Sequence, residues 1–149
     1  MLKTKIPPPI IALVFIIITY FSSFLINPFR FENQSLLSFV IFISGLTSVF
    51  TAMRQFKKNS TIINPMTPKK TTSLVVDGIF SYSRNPMYLG LLLVVTSSGL
   101  YVGAWLSFLL IPLFWFLINP LQIIPEEEAM LEIFGEEFIE YSRKVRRWI

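Results

Sequence analysis

Long apolar runs separated by polar or charged connections organise this chain. Ile10 to Ile26 carries no charge and is dense in isoleucine, phenylalanine and leucine, and Asn27-Pro28 follows as a stop signal. Ser35 to Met53 is a second uncharged run, with Gly45 and several hydroxyls suited to close contact with neighbouring helices. From Met87 to Ile124 no charged residue occurs. As one helix that stretch would reach about 57 Å, roughly twice the hydrocarbon thickness of a bilayer. It must double back, and Gly99 to Trp105 is the expected turn. Two spans result, Pro86–Val102 and Ala104–Ile124, with Pro112 expected to kink the second and Asn119-Pro120 to loosen its end. Beyond Pro125, Leu131, Phe134, Phe138, Tyr141, Val145 and Trp148 recur every three or four residues, which predicts one amphipathic helix. The predicted fold is all-α and integral to the membrane: about four transmembrane helices plus a C-terminal amphipathic helix, in one domain over residues 1–149.

Composition agrees, at 53% hydrophobic and 15% charged residues. The first run follows a basic lead with Lys3, Lys5 and Pro7-Pro8-Pro9. It is long for a signal-peptide core and no small-residue cleavage pattern follows, so it reads as an uncleaved span. Basic residues then alternate between connections. The N-terminal lead, the stretch bearing Arg54, Lys57, Lys58, Lys69, Lys70 and Arg84, and the tail with Arg143, Lys144, Arg146 and Arg147 fall on one side. The other two connections hold only Arg30. The positive-inside rule predicts a multi-pass protein with both termini and the long loop in the cytoplasm. That loop, about thirty residues, is long enough to suggest function. Within it Thr71–Asp77 reads as either a short strand or an interfacial segment.

The chain has no cysteine and no histidine. That removes a thiolate nucleophile, the commonest general base and the commonest metal ligands, so no metal is expected. The net charge of +4 reads as orientation and lipid contact, not as nucleic-acid binding. Two polar segments remain as candidate chemistry. Gly78 to Gly90, GIFSYSRNPMYLG, sets Ser81, Ser83, Arg84 and Asn85 at the mouth of a span, with Pro86 suited to the first helical turn. A water-soluble cofactor can meet a lipid-borne substrate there; the bland alternative is an arginine anchored among headgroups. The second segment is Glu126–Glu128. Matching to the helix dipole explains carboxylates in a first turn. Yet Glu127 and Glu128 stand four and three residues before Leu131, beside the apolar stripe, where carboxylates are costly without a partner.

Together, SRNPMYLG preceded by Gly78 and the run EExxLxxFGEEFxEYxxxVRRWI resemble the integral-membrane methyltransferases, the isoprenylcysteine carboxyl methyltransferase and phospholipid N-methyltransferase group. The likeness covers 74–149. It implies S-adenosylmethionine as donor, bound without a Rossmann domain by Arg84, Asn85, Pro86, Tyr88, Gly90, Glu127 and Glu128. Asn85 stands where isoprenylcysteine enzymes usually carry histidine, and it keeps hydrogen bonding without titrating. No GxGxxG loop follows a predicted strand, in keeping with that mode of binding. Carboxylates can hydrogen-bond ribose hydroxyls or balance ammonium and sulfonium charge. Arg84, Arg146 and Arg147 are the candidate catalytic residues, the latter two as groups that orient an acceptor carboxylate or phosphate. The expected function is methyl transfer to an amphipathic or lipid-linked acceptor, with an anionic headgroup favoured because no strong base is evident. The alternatives are an NADPH-dependent membrane reductase of the sterol or steroid type, and a non-enzymatic small membrane protein.

Overall fold

A computed structural model describes residues 6–58 and 73–149. The expectations placed on Lys3, Lys5, Lys69, Lys70, Thr71 and Thr72 lie outside those residues. Every regular element among the described residues is helical. These are α1 (Pro8–Ser22), α2 (Gln34–Lys58), a 3-10 turn (Gly78–Ser81), α3 (Pro86–Val102), α4 (Ser107–Ile118), a π turn (Asn119–Ile123), α5 (Ile124–Phe134) and α6 (Glu136–Lys144).

Helix α3 is central, packing against α1, α2 and α4. It begins and ends where the sequence predicts. Pro86 occupies the first turn, and Gly103 closes the helix in the left-handed region (φ 72°), its N–H donating to the Gly99 and Leu100 carbonyls. The α2 face turned to it is built from Gln34, Ser38, Gly45, Ser48 and Ala52, while Leu36, Phe39, Val40 and Phe50 point outward. Small and polar residues inside with large apolar residues outside is the pattern of helices packed in lipid. Gly45 and Gly90 set the spacing: a Cβ on Gly90 would stand 2.6 Å from the Gly45 carbonyl oxygen. Nearby, Ser48 Oγ donates to the Pro86 carbonyl at 2.7 Å.

Two helical stretches are long and apolar enough to cross a membrane, Gln34–Lys58 and the continuous Ser107–Phe134. Pro8–Ser22 and Pro86–Val102 are apolar but shorter. At one end of the bundle the two short connections are stapled together. Phe29 N–H donates to Gly103 O at 2.9 Å, and the Gln34 side-chain amide donates to Leu100 O at 2.5 Å. At the other end the start of α1 meets Gln122, whose amide donates to Ile6 O at 2.7 Å. There, too, the start of α3 meets the C-terminal tail, Arg84 N–H donating to Arg146 O at 3.0 Å.

Three expectations need correction. First, the looseness at Asn119-Pro120 is a widened turn, not a helix end. Pro120 has no N–H to give, and Ile124 N–H reaches back to Asn119 O, an i→i+5 bond. Ile123 and Ile124 keep helical dihedrals, so α4 runs into α5 without a break. Glu126 and Glu127 therefore sit within a continuous helix, and matching to a free N-terminal dipole does not account for them. Second, the C-terminal amphipathic helix is two helices. Gly135, at φ 51° and ψ −120°, separates α5 from α6, and α6 ends at Val145, which is extended. Phe138, Tyr141 and Val145 still pack together with Leu74, Met130 and Phe134, but Leu131 is 45% exposed. Third, of the two readings of Thr71–Asp77 the strand is not formed over residues 73–77; Val75 fills a small cluster with Ala52 and Phe80. Pro112 lies inside α4 without ending it.

Candidate functional site

The site grows from the turn before α3. Gly78 has φ +62° and presses its bare Cα side against Gln55. That turn leads into Ser83, whose hydroxyl accepts the Asn85 N–H at 3.1 Å. Asn85 then caps α3 in a non-helical conformation (φ −129°, ψ 53°), leaving its side chain free of a capping duty. Its Nδ2 donates instead to Arg147 O at 3.0 Å. With the Arg84–Arg146 backbone bond, this lays the tail alongside the helix start.

Glu127 lies between two guanidinium groups. Arg84 Nη2 is 2.8 Å from Oε1, and Arg147 grips Oε2 through Nη2 at 2.5 Å and Nε at 3.1 Å. The Arg84 and Glu127 side chains are 13% and 17% exposed and Arg147 38%, so the inner pair is the better shielded. Arg84 also donates from Nη1 to Ser142 O at 3.2 Å and lies 5.9 Å over the Phe138 ring. One carboxylate against two guanidiniums leaves a net positive charge. Nearby, burial pushes the Tyr141 phenol above its ordinary range, opposed by the Arg84 charge. It stays protonated and donates to Phe80 O at 2.7 Å, fastening α6 to the 3-10 turn.

Beside this clasp opens a cleft of about 540 Å³, lined by Arg84, Arg147 and Trp148 and by Trp115, Phe116, Asn119 and Pro120 of the α4–π segment. Trp148 lies against Trp115, ring centroids 6.0 Å apart and planes at 35°. Two buried donors of cleft-lining residues, Arg84 Nε and Trp148 Nε1, have no acceptor. One turn into α3, the buried Tyr88 hydroxyl donates to Glu126. Among the described residues no group of three or more acidic side chains is arranged to hold a metal ion.

Of the residues singled out from the sequence, Arg84, Asn85, Pro86, Tyr88, Glu127 and Arg147 come together here. Glu128 points to solvent, and Arg146 is exposed and contributes only its backbone carbonyl. Gly90 is buried in the α2–α3 contact against Gly45 and Val49. Sequence reasoning included Glu126 in the acidic segment but assigned the cofactor only to its two neighbours, read Asn119 only as a helix-end signal, and gave Gln122 and the Trp115–Trp148 pair no role. Continuing the second hairpin span through Pro125 as one helix would have put Gln122 and Glu126 one turn apart, and that was the available signal.

The phospholipid methyltransferase family matches residues 33–137. Protein-S-isoprenylcysteine O-methyltransferase of Schizosaccharomyces pombe is 32% identical over 126 residues, 84% of this chain and 52% of that protein. The chain thus spans about half the length of that curated relative. An uncharacterized protein of Haemophilus influenzae is 41% identical over 63 residues, 42% of this chain and 100% of that protein. No solved structure shows significant similarity. A match over most of the chain, taking in both the Arg84–Tyr88 helix start and the Glu126–Glu128 segment, places it: the chain belongs to the phospholipid methyltransferase family.

Proposed function

We propose that this protein is a multi-pass membrane methyltransferase that moves a methyl group from S-adenosylmethionine to an amphipathic or lipid-linked acceptor. The observation that carries the reading is the convergence of the α3 start, α5 and the tail on Glu127, beside a cleft between polar and apolar surroundings. A cleft of about 540 Å³ is in the range that small-molecule sites occupy, on the order of 300–1,000 Å³. The orphaned Arg84 and Trp148 donors and the faces of Trp115 and Trp148 suit a ligand with ring nitrogens and hydroxyls. The residues therefore fit the donor. Arg84, Asn85, Tyr88 and the tail would hold it, with Glu127 fixing the two arginines.

Bound there, the donor supplies an electrophilic methyl group on a sulfonium. The chain's own work is placement. In-line geometry matters more to this transfer than acid–base help. The Arg84–Glu127–Arg147 clasp keeps the tail over the α3 start. Arg84 and Arg147 offer positive charge to an acceptor headgroup entering sideways from the bilayer along the apolar wall of α3 and α4. Glu127, neutralised on both sides, serves mainly to position the two arginines.

Four spans in a single domain over residues 1–149, with both termini and the site in the cytoplasm, complete the reading. Its support is the alternation of basic connections, the outward apolar faces of α1 to α4, and the meeting of α1, α3 and the tail at one end. Purified protein in detergent is expected to bind S-adenosylmethionine and not NADPH. Saturable NADPH binding without S-adenosylmethionine binding would favour a reductase.

A further inference from the structure

We infer that Asn85 is a positioning residue: it sets which of two adjacent arginines, Arg146 or Arg147, takes Glu127, and it acts on a bound ligand only through that choice. The inference begins with an ambiguity in the chain. Arg146 and Arg147 carry the same side chain, and the charge of Glu127 does not distinguish them. In an extended segment neighbouring side chains face opposite ways, and the chain leaves α6 extended at Val145. A half-turn of the tail about its own axis would put Arg146 on Glu127 and swing Arg147 outward. Trp148 would then leave Trp115, and the cleft would lose one of its walls.

Two bonds to the tail backbone exclude that arrangement. Arg84 N–H donates to Arg146 O at 3.0 Å, and Asn85 Nδ2 donates to Arg147 O at 3.0 Å. A single bond would let the segment pivot; two successive carbonyls held by two successive residues do not. The first is a main-chain bond open to any residue but proline at position 84. The second needs the Asn85 side chain. Asn85 is placed for that duty: it is 8% exposed, its N–H is fixed by Ser83 Oγ at 3.1 Å, and it makes no capping bond to α3. Its amide orientation follows from its partner, because Arg147 O can only accept. In the register so fixed, Arg147 reaches Glu127 through Nε and Nη2 while the Arg146 side chain is exposed.

For the methyl donor the inference rests on the methyltransferase reading; for the tail it does not. The experiment uses the full chain in detergent and follows Trp148 by acrylamide quenching, its emission taken as the difference between each protein and its Trp148→Phe counterpart. Asn85→Leu has a similar branched shape and no donor. It should shift the balance between the two pairings on the order of tenfold and raise Trp148 quenching. Adding Arg146→Gln to Asn85→Leu removes the competing arginine and should restore the wild-type shielding, whereas adding Arg147→Gln should not. Calorimetry with S-adenosylmethionine should follow the same order, affinity falling about two- to tenfold in Asn85→Leu and recovering with Arg146→Gln. Affinity that falls while Trp148 stays shielded would make Asn85 a direct ligand contact and overturn the inference. So would wild-type quenching in Asn85→Leu, or quenching that Arg146→Gln leaves raised, since the tail would then be lost and not exchanged. Raised quenching with unchanged affinity overturns it too, because the choice of arginine would not reach the ligand. Should Asn85→Leu fail to fold, Asn85→Asp sets an oxygen against Arg147 O and is read by the same measurements. Wild type that binds no S-adenosylmethionine removes the methyltransferase reading, and rescue by Arg146→Gln still decides the role of Asn85 in the tail.

Discussion

The clasp around Glu127 yields a quantitative expectation. Glu127→Gln keeps the shape of the side chain and removes its charge, leaving Arg84 and Arg147 without a counter-ion. The Arg84–Glu127 pair, 2.8 Å apart with side chains 13% and 17% exposed, is close to buried. Removing one partner of a fully buried pair costs about 3–5 kcal/mol, and residual solvent with the retained glutamine oxygen lowers this to about 2–3 kcal/mol. The Arg147 contact, at 38% exposure, is screened and adds no more than about 1 kcal/mol. For a chain of this size each kcal/mol moves the midpoint by about 2–4 °C, so a total loss of about 2–4 kcal/mol in Glu127→Gln should lower Tm by about 4–16 °C. Arg147→Gln should lower it by about 2–4 °C. Tryptophan fluorescence during heating in detergent is the assay, since Trp115 and Trp148 meet beside the clasp. The ranking decides the matter. If Arg147→Gln destabilises as much as Glu127→Gln, or if neither moves Tm, the clasp is not the shielded ion pair described here.

Gly90→Ala should destabilise the α2–α3 pair by about 1–3 kcal/mol through overpacking, because the new methyl meets the Gly45 carbonyl and Val49; a wild-type melting curve would contradict that contact. For topology, cysteines introduced at the exposed Glu32 and Arg143 should behave oppositely in intact cells, Glu32→Cys reacting with an impermeant thiol reagent and Arg143→Cys shielded. Equal labelling would break the assignment of the two ends to opposite faces.

The apolar runs alone determined the helical class, the α3 boundaries at Pro86 and Val102 and the turn at Gly103, because hydropathy and proline or glycine punctuation act locally. Likewise the inward turn of Gly45 and Ser48 followed from their size in an apolar helix. The family motifs named Arg84, Asn85, Tyr88 and Glu127, which the fold gathers. Tertiary structure decided what pairs with what. That Glu127 binds two arginines, twenty residues and more away along the chain, is a fact of docking the tail on α3. Gly90 shares a segment with Tyr88, yet the close approach of α2 claims it for packing. Which glutamate faces Tyr88 depended on helix phase. The i→i+5 bond at Asn119–Ile123 inserts one residue into the turn, rotating all that follows by about 100°. Glu126 turns inward, while Glu128 lies outward on the side of the exposed Leu131; residue spacing relates these three to one another, but which side of α5 faces the core is set by the phase of the whole helix, which one widened turn resets.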